Sequence, residues 1–468
     1  MATSKADGVL RRASNRSVPR WKSRVRHFLV WSSVPPLLGF YRWVYHLVIW
    51  GAVQAFRCCR GVVAVYLTRG CAKNDITPGV SDIDLVVVVG PDEDERQQVE
   101  NLLQRLQTVS GGLIPYLPSF VMAESEMPLR WKNTAVRRYQ LIEGRSVWRL
   151  LYGRDVRSAL PPMTELDRIG ACFAGMSYWW VQFALFLLEN EEFRNDSILR
   201  RSIIIKAVSE VASTFRAMQT GEFCYSRAES LQRENTPLCR KLLATTTRIP
   251  QPDPAIEEEA YGYLIATLLN VWDTFRQKPF FVVHPEITQS VEPATKETEL
   301  EIAQPPFREI SRHLTETWGS KCQGVHLLKS AFYPLDCSLL VVDGDRRNLP
   351  TLADLERLMT IREQAYAGMQ AAQFVLRLGD VGFQLTPMIP GDAIRGLLTP
   401  ATTPDIFLQL GVNPVYWTNH TQWYLGEWNS NRMWLDAPPQ KLRQLEAIAR
   451  SAAAGHVHYP LHSTALKD

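Results

Sequence analysis

Apolar positions fall into two rhythms along this chain. Between residues 62 and 123 they come in short runs. Val62–Leu67 is a β-rich run, Leu85–Val89 is five apolar residues in succession, and residues 113–123 form a third run interrupted by Pro115 and Pro118. Runs of this length bounded by polar or Gly-containing segments predict strands. Between the second and third runs, Val99, Leu102, Leu103 and Leu106 recur at helical spacing, so residues 97–108 are expected to be a helix. Residues 127–140 also read as helical, with Arg130, Lys132, Arg137 and Arg138. From residue 164 the rhythm turns to 3.6. Helices are expected over 166–191, 196–218, 226–246 and 253–276, with Asp196-Ser197 and Ser226 as N-caps. A Thr-, Glu- and Pro-rich stretch at 286–306 reads as a linker.

Strand-like runs then return. Cys322–Leu328 resembles Cys59–Val65, and Asp336–Gly344 resembles Asp82–Gly90. Each pair leads through a charged loop to a helical pattern, over 97–108 and 352–366. The expected fold is therefore α+β: a mixed sheet with flanking helices, a helical bundle, and a second, smaller α+β unit. The boundaries read as a basic tail at 1–27, a first domain at 28–160, a helical domain at 161–285, the linker, and a last domain at 307–468.

Composition narrows the class. The chain has 468 residues, 46% hydrophobic and 21% charged, with a net charge of +4. Residues 1–27 carry eight cations and one carboxylate, so the remainder is close to neutral. The tail is expected to be disordered, with anionic membrane or nucleic acid as its possible contacts. A broad nucleic-acid surface is not indicated for the body. The eight cysteines show no C-x-x-C and no zinc spacing, which points to reduced thiols and a cytoplasmic location. Residues 34–56 are apolar but interrupted by Pro35, Pro36, Arg42 and His46. The segment reads as a helix packed on protein and not as a membrane span.

The candidate chemistry lies between the first two strands. Asp82 and Asp84, two apart at the start of a strand, project to one side. Adjacent carboxylates repel unless a cation lies between them, and Mg²⁺ is commonly held by one or two carboxylates plus substrate phosphates. The preceding loop offers backbone N–H groups, Arg69 and Lys73 to a phosphate chain. A solvated strand end with turn residues before it is the alternative.

The segment from Thr68 to Val89, with Gly70-Cys71 where Gly-Ser is usual and the run Pro78–Leu85, resembles the signature of the nucleotidyltransferase superfamily that includes DNA polymerase β and the aminoglycoside adenylyltransferases. Leu150–Val156 is similar to the edge strand and turn that close this domain in bacterial members. The resemblance covers residues 60–156. It implies that Asp82 and Asp84 hold Mg²⁺, with one or two ions, and that Arg69, Gly70, Cys71, Lys73 and Ser81 belong to the loop binding a nucleoside triphosphate such as ATP. It implies a third carboxylate as base near the third strand. That strand lacks an acid, and Glu124, just beyond it, is the candidate, with a helix-starting role as its alternative. It also implies that the helical domain lends basic side chains to the phosphates, with Lys206 and Arg227 as candidates beside Arg200 and Arg201. Tyr178, Trp179, Trp180 and Tyr225 would line an acceptor cleft or, for the Trp pair, the core.

The last domain then reads as a degenerate second copy, in which Ser338 stands at the position of Asp84 and the phosphate loop is cut out. The expected activity is Mg-dependent transfer of a nucleoside monophosphate to a hydroxyl of a small-molecule or protein acceptor. The alternative is a nucleotide-binding or scaffolding relative without turnover.

Overall fold

A strand buried along its whole length is the spine of the first sheet. β2 (Leu85–Val89) consists of Leu and four Val, all inaccessible to solvent, as expected of a central strand covered on both faces. The computed structural model describes residues 20–116, 120–125, 127, 135–160, 162–189, 193, 195–245, 253–275, 305–329, 338–358, 371–378 and 381–384. β2 pairs antiparallel with β1 (Val62–Leu67) and parallel with β3 (Val121–Ala123). β4 (Arg149–Gly153) lies antiparallel on the other edge of β1, giving the order β3-β2-β1-β4. Gly153 is needed there: its φ is +82°, and a Cβ would stand 2.0 Å from the Val63 carbonyl oxygen.

Two helices precede the sheet. α1 (Arg20–Trp31) and α2 (Leu37–Arg57) are joined by a short turn, across which the Ser32 and Tyr41 hydroxyls bond at 2.8 Å. The expectation of a disordered tail through residue 27 is thus corrected: the helix begins at Arg20, and Arg26 binds Asp196 at 2.7 Å. Residues 1–19 lie outside the described residues. α2 packs on β1, β4 and α4 (Glu93–Val109) through Tyr45, Ile49, Ala52, Val53 and Phe56. Only this face is buried, so the expectation of a helix wholly packed on protein holds for one side. Asp92 caps α4, accepting from the Asp94 and Glu95 amides. A short helix, α3 (Arg69–Ala72), follows β1 directly.

α5 (Ala135–Val147) leads into the helical region of α6 (Glu165–Ala184), α7 (Ser197–Thr220), α8 (Arg227–Glu234), α9 (Pro237–Thr245) and α10 (Pro254–Phe275). Both predicted caps form. The Asp196 carboxylate accepts from the Ile198 and Leu199 amides, and Ser226 Oγ accepts from Glu229 N–H. One predicted helix is two, because Asn235 turns left-handed at the end of α8. α6 ends in a π-helical turn over Leu185–Glu189. Arg168–Leu188 is the one helix among the described residues long and apolar enough to cross a membrane, and most of that stretch is buried in the core. α5 can approach α6 because Gly175 faces the Tyr139 ring, where a Cβ would meet it at 2.8 Å.

After α11 (Pro305–Trp318), which takes up the end of the expected linker, comes a second four-stranded sheet: β5 (Cys322–Lys329), β6 (Ser338–Gly344), β7 (Ala371–Leu378) and β8 (Val381–Gln384), in that order. β5–β6 is antiparallel and β6–β7 parallel, as in β1–β2 and β2–β3. Even the bulge recurs, between Val62 and Ala64 and between Cys322 and Gly324. The fourth strand differs. β4 lies beside β1, whereas β8 lies beside β7. Aligned on their bulges, where Val62 pairs with Val89 and Cys322 with Gly344, the two sheets bring Leu339 beside Ser338 as the counterpart of Asp84. The position lacks a carboxylate on either alignment, and Asp336 lies outside the described residues.

The second sheet is bonded to the helical region. Arg200 reaches Glu257 on α10 at 2.6 Å and Glu356 at 2.7 Å, and Arg346 binds Asp273 at 3.2 Å. Trp180, fully buried, packs its ring against Phe183, Tyr261 and, edge-on at 5.2 Å, Phe383. Trp180 is therefore core and not pocket. Trp180→Ala should destabilise the protein by about 3–5 kcal/mol, read by chemical denaturation.

Candidate functional site

The β1–β2 connection, residues 68–84, is a loop whose own polar groups determine its shape. Thr68 donates through both N–H and Oγ1 to the Asp84 carbonyl, at 3.0 and 3.2 Å, closing the loop at its base. Arg69 and Asn74 sit at positive φ, +54° and +58°. Ser81 Oγ accepts from Thr77 N–H at 2.8 Å and donates to the Asp75 carbonyl. Cys71 Sγ donates to the Asp82 carbonyl at 3.1 Å, and burial, with Asp84 and Asp82 nearby, pushes the thiol up to about 12. Ser81 and Cys71 thus spend their side chains on the loop itself. Neither is aimed outward as a phosphate donor.

Lys73, predicted to meet phosphate, is committed elsewhere. Its ammonium is buried between Glu143 of α5 at 2.8 Å and Glu210 of α7 at 3.1 Å. Burial opposes its charge, yet the two carboxylates hold its pKa above the ordinary range. Glu210 is held below its ordinary value, burial being outweighed by Lys73 and its neighbours. Neither glutamate is recognisable from the loop's sequence. They lie 70 and 137 residues away.

Asp82 and Asp84 come just before β2, Asp82 exposed and Asp84 buried. Asp84 Oδ1 is buried and accepts no hydrogen bond. Arg69 Nη1 stands 3.6 Å from it, an ion-pair distance too long for a hydrogen bond. Burial pushes the Asp84 carboxyl up to about 6. Arg69 opposes that rise, and Asp82 adds to it. Arg69 lies over the Phe120 ring at 5.5 Å. Burial opposes its charge, but Asp84, Tyr178, Asp82 and Glu143 together hold the guanidinium above its ordinary range.

Two cations of the helical region complete the arrangement. Lys206 of α7 sits with Nζ 5.4 Å from the Trp179 ring, and among the described residues no carboxylate lies within ion-pair distance of it. Burial lowers its pKa, with Arg227 and Arg69 adding to the fall and Asp82 and Asp84 resisting it. Arg227, the first residue of α8, donates its backbone N–H to Asp75 at 2.8 Å. Its Nε is buried without a hydrogen-bond partner. Its Nη2 lies 3.2 Å from where a Cβ on Gly70 would be, so Gly70 leaves room for this guanidinium. Arg69 and Lys206 therefore act on Asp84, and Arg227 lies close enough to act on Lys206. Arg200 and Arg201 do not join them: Arg200 faces Glu257 and Glu356, and Arg201 is buried near Asp253 and Glu257. Tyr225 is exposed.

Glu124 is not brought to the site. Its N–H donates to the Val89 carbonyl at the far end of β2, five residues beyond Asp84 and about 16 Å away at strand rise. Its carboxylate pairs with Arg154. The parallel register of β3 on β2 carries the end of β3 away from Asp84, so Glu124 is withdrawn as the base. Among the described residues no group of three or more His, Cys, Asp or Glu is gathered for a metal ion. No family model matches the chain, and no curated protein sequence matches it.

Two stability measurements test these assignments. Lys73→Met leaves two buried carboxylates facing each other and should cost about 3–5 kcal/mol. One carboxyl of the pair would then have a raised pKa, so the deficit should shrink as pH falls. For Asp84 the folded pKa of about 6 stands above the ordinary 3.8. The native state then holds the extra proton between those values, and stability falls as pH rises through that window. Asp84→Asn should thus exceed the wild type by on the order of 2 kcal/mol at pH 7.5 and converge with it near pH 4, read by thermal melting.

Proposed function

We propose that the β1–β2 loop and the facing ends of α7 and α8 bind a Mg²⁺–nucleoside triphosphate and transfer its nucleoside monophosphate to a hydroxyl acceptor, in a nucleotidyltransferase-type fold. The observation carrying this reading is the buried, hydrogen-bond-free Asp84 Oδ1 beside Asp82, with Arg69 at 3.6 Å, Lys206 acting on it, and Arg227 next to Lys206. Desolvated charges without close partners are characteristic of ligand sites. The two carboxylates suit Mg²⁺, which takes its remaining ligands from phosphate and water, and Asp82 and Asp84 would hold it. Bound there, the ion would supply charge neutralisation of the phosphates.

The chain's own residues do the rest. Lys206 and Arg227 meet the phosphate oxygens, and Arg69, released from Asp84, adds a third positive charge. In the transfer, an acceptor hydroxyl oxygen forms a bond to the α-phosphorus as the bond to pyrophosphate breaks, and the hydroxyl proton leaves to solvent. Positioning and electrostatics supply most of the catalysis in such a step. The acceptor would enter between the first sheet and α6, where Tyr178 and Trp179 are half-buried. The near-neutral body favours a small or locally presented hydroxyl over a long polyanion.

A specific observation favours a second reading, nucleotide binding without turnover: Glu124 stands at the wrong end of β2, and residues 113–123 contain no acid. One experiment separates the two. The full chain is incubated with labelled nucleoside triphosphates, Mg²⁺ and a cell extract, and binding is followed by calorimetry. Pyrophosphate release that disappears in Asp82→Ala/Asp84→Ala supports transfer. Binding without release supports the second reading. Absence of Mg-dependent binding would overturn both. Lys206→Met should weaken triphosphate binding by about tenfold or more while leaving the melting temperature unchanged or higher, because the lysine's burial disfavours its charge.

A further inference from the structure

α2 is apolar on two opposite sides. One side is the buried face already described. The other presents Leu37, Phe40, Trp43, Leu47 and Trp50 to solvent, with Trp43 57% and Trp50 61% exposed. Their spacing of three and four residues places them in one stripe. α1 continues it with Val25, Phe28 and Trp31, the last 80% exposed. Phe40 and Trp43 stack with ring centroids 5.9 Å apart. A soluble surface seldom gathers so many large apolar side chains without a partner.

The charge around the stripe identifies the partner. No Asp or Glu occurs between Asp7 and Asp75, while ten Arg and Lys occur from Arg11 to Arg60. Arg42, His46 and Arg57 are exposed on α2, and helical spacing puts His46 and Arg57 between its apolar stripe and its buried face. Arg24 and His27 accompany the stripe on α1. We propose that α1 and α2 form a peripheral docking face for an anionic lipid bilayer, lying in the interface without crossing it. Trp and Phe inserted at headgroup level, with cations at the flank, are the features of such a helix. Crossing is opposed by the buried side of α2, where the Tyr45 hydroxyl donates to the Ser81 carbonyl at 2.7 Å. A second copy of this chain is a poor occupant. A two-fold contact would set two cationic helices, without a carboxylate of their own, against their copies.

The face is held rigid for this purpose. Arg26, Ser23 and His27 all bind the Asp196 carboxylate, at 2.7, 3.0 and 3.3 Å. Leu29 packs against Gly79. The aromatic stripe is thus presented without a folding step on contact, which lowers the entropy lost on binding.

The test is flotation of the full chain with vesicles of phosphatidylcholine, with and without phosphatidylserine. Binding should require phosphatidylserine and weaken at high salt. Trp43→Ser/Trp50→Ser and, separately, Arg24→Ser/Arg42→Ser should each reduce it by about tenfold or more with no change in melting temperature, since all four side chains are exposed. No flotation, or equal flotation on both vesicle types, would overturn the proposal. So would a dimer in solution that the Trp variant dissociates, which would make a second copy the occupant. Retention of the membrane-bound chain through an alkaline carbonate wash would indicate a span and overturn it as well.

Discussion

One buried ammonium holds the architecture of the site together. Lys73 leaves the β1–β2 loop and enters the helical region, where Glu143 and Glu210 close on it at 2.8 and 3.1 Å. A buried ion pair adds little net stability relative to well-packed apolar groups, but it is specific about position. Here it ties three segments, the loop, α5 and α7, to one point. The positive-φ turns at Arg69 and Asn74 are tolerable because the loop is anchored beyond them. Arg227 N–H on Asp75 adds a second tie between the same loop and α8. The sheet and the helices therefore share one wall, and the aspartate pair opens onto it.

That wall is electrostatically unfinished. Asp84 is buried with an oxygen that accepts nothing, Lys206 is buried without a carboxylate in contact, and Arg227 has a buried Nε without a partner. Each arrangement costs stability in the free protein. Lys73 shows the contrast, for it is more deeply buried and fully paired. Counting Arg69, which pairs with Asp84, the three cations exceed the two aspartates by one charge, which suits an anionic ligand accompanied by a cation. A site that keeps its charges desolvated before the ligand arrives has less reorganisation to undergo when it binds. The expected gain in stability of Asp84→Asn at neutral pH is the other side of the same arrangement.

What the chain's pattern disclosed was local. The first two strand runs and the caps at Asp196 and Ser226 depend on neighbours within a few residues, and each is where the pattern puts it, whereas the run at 113–123 forms a strand among the described residues only over Val121–Ala123. What it concealed depends on register or on distant partners. Lys73 reads as a loop cation until Glu143 and Glu210 are brought beside it. Glu124 follows the third strand, but only the parallel pairing of β3 with β2 shows that this end of the strand points away from Asp84. The counterpart of Asp84 depends on register for the same reason, being Ser338 by sequence and Leu339 when the bulges are aligned: a bulge alters the pairing and leaves the composition unchanged. Residues 34–56 read as a buried helix because apolar residues surround it, and periodicity cannot say which side meets protein.

The open side of α2 and the unfinished wall are neighbours through the loop. Leu29 of α1 rests on Gly79, and Tyr45 of α2 holds the Ser81 carbonyl, one residue before Asp82. The contacts that keep the aromatic stripe in place are thus also contacts that shape the approach to the aspartate pair. A load on α1 and α2 would reach the loop through Gly79 and Ser81, while Lys73 and Arg227 resist from the helical side. The loop is clamped between two supports of different kinds. One is a desolvated ion triad that moves only at a large energetic cost, and the other is a pair of helices that reaches the loop through the Tyr45–Ser81 hydrogen bond and the packing of Leu29 on Gly79. The loop is therefore held from both sides, at Lys73 by the helical region and at Gly79 and Ser81 by α1 and α2, which Asp196 ties to the same helical region in turn.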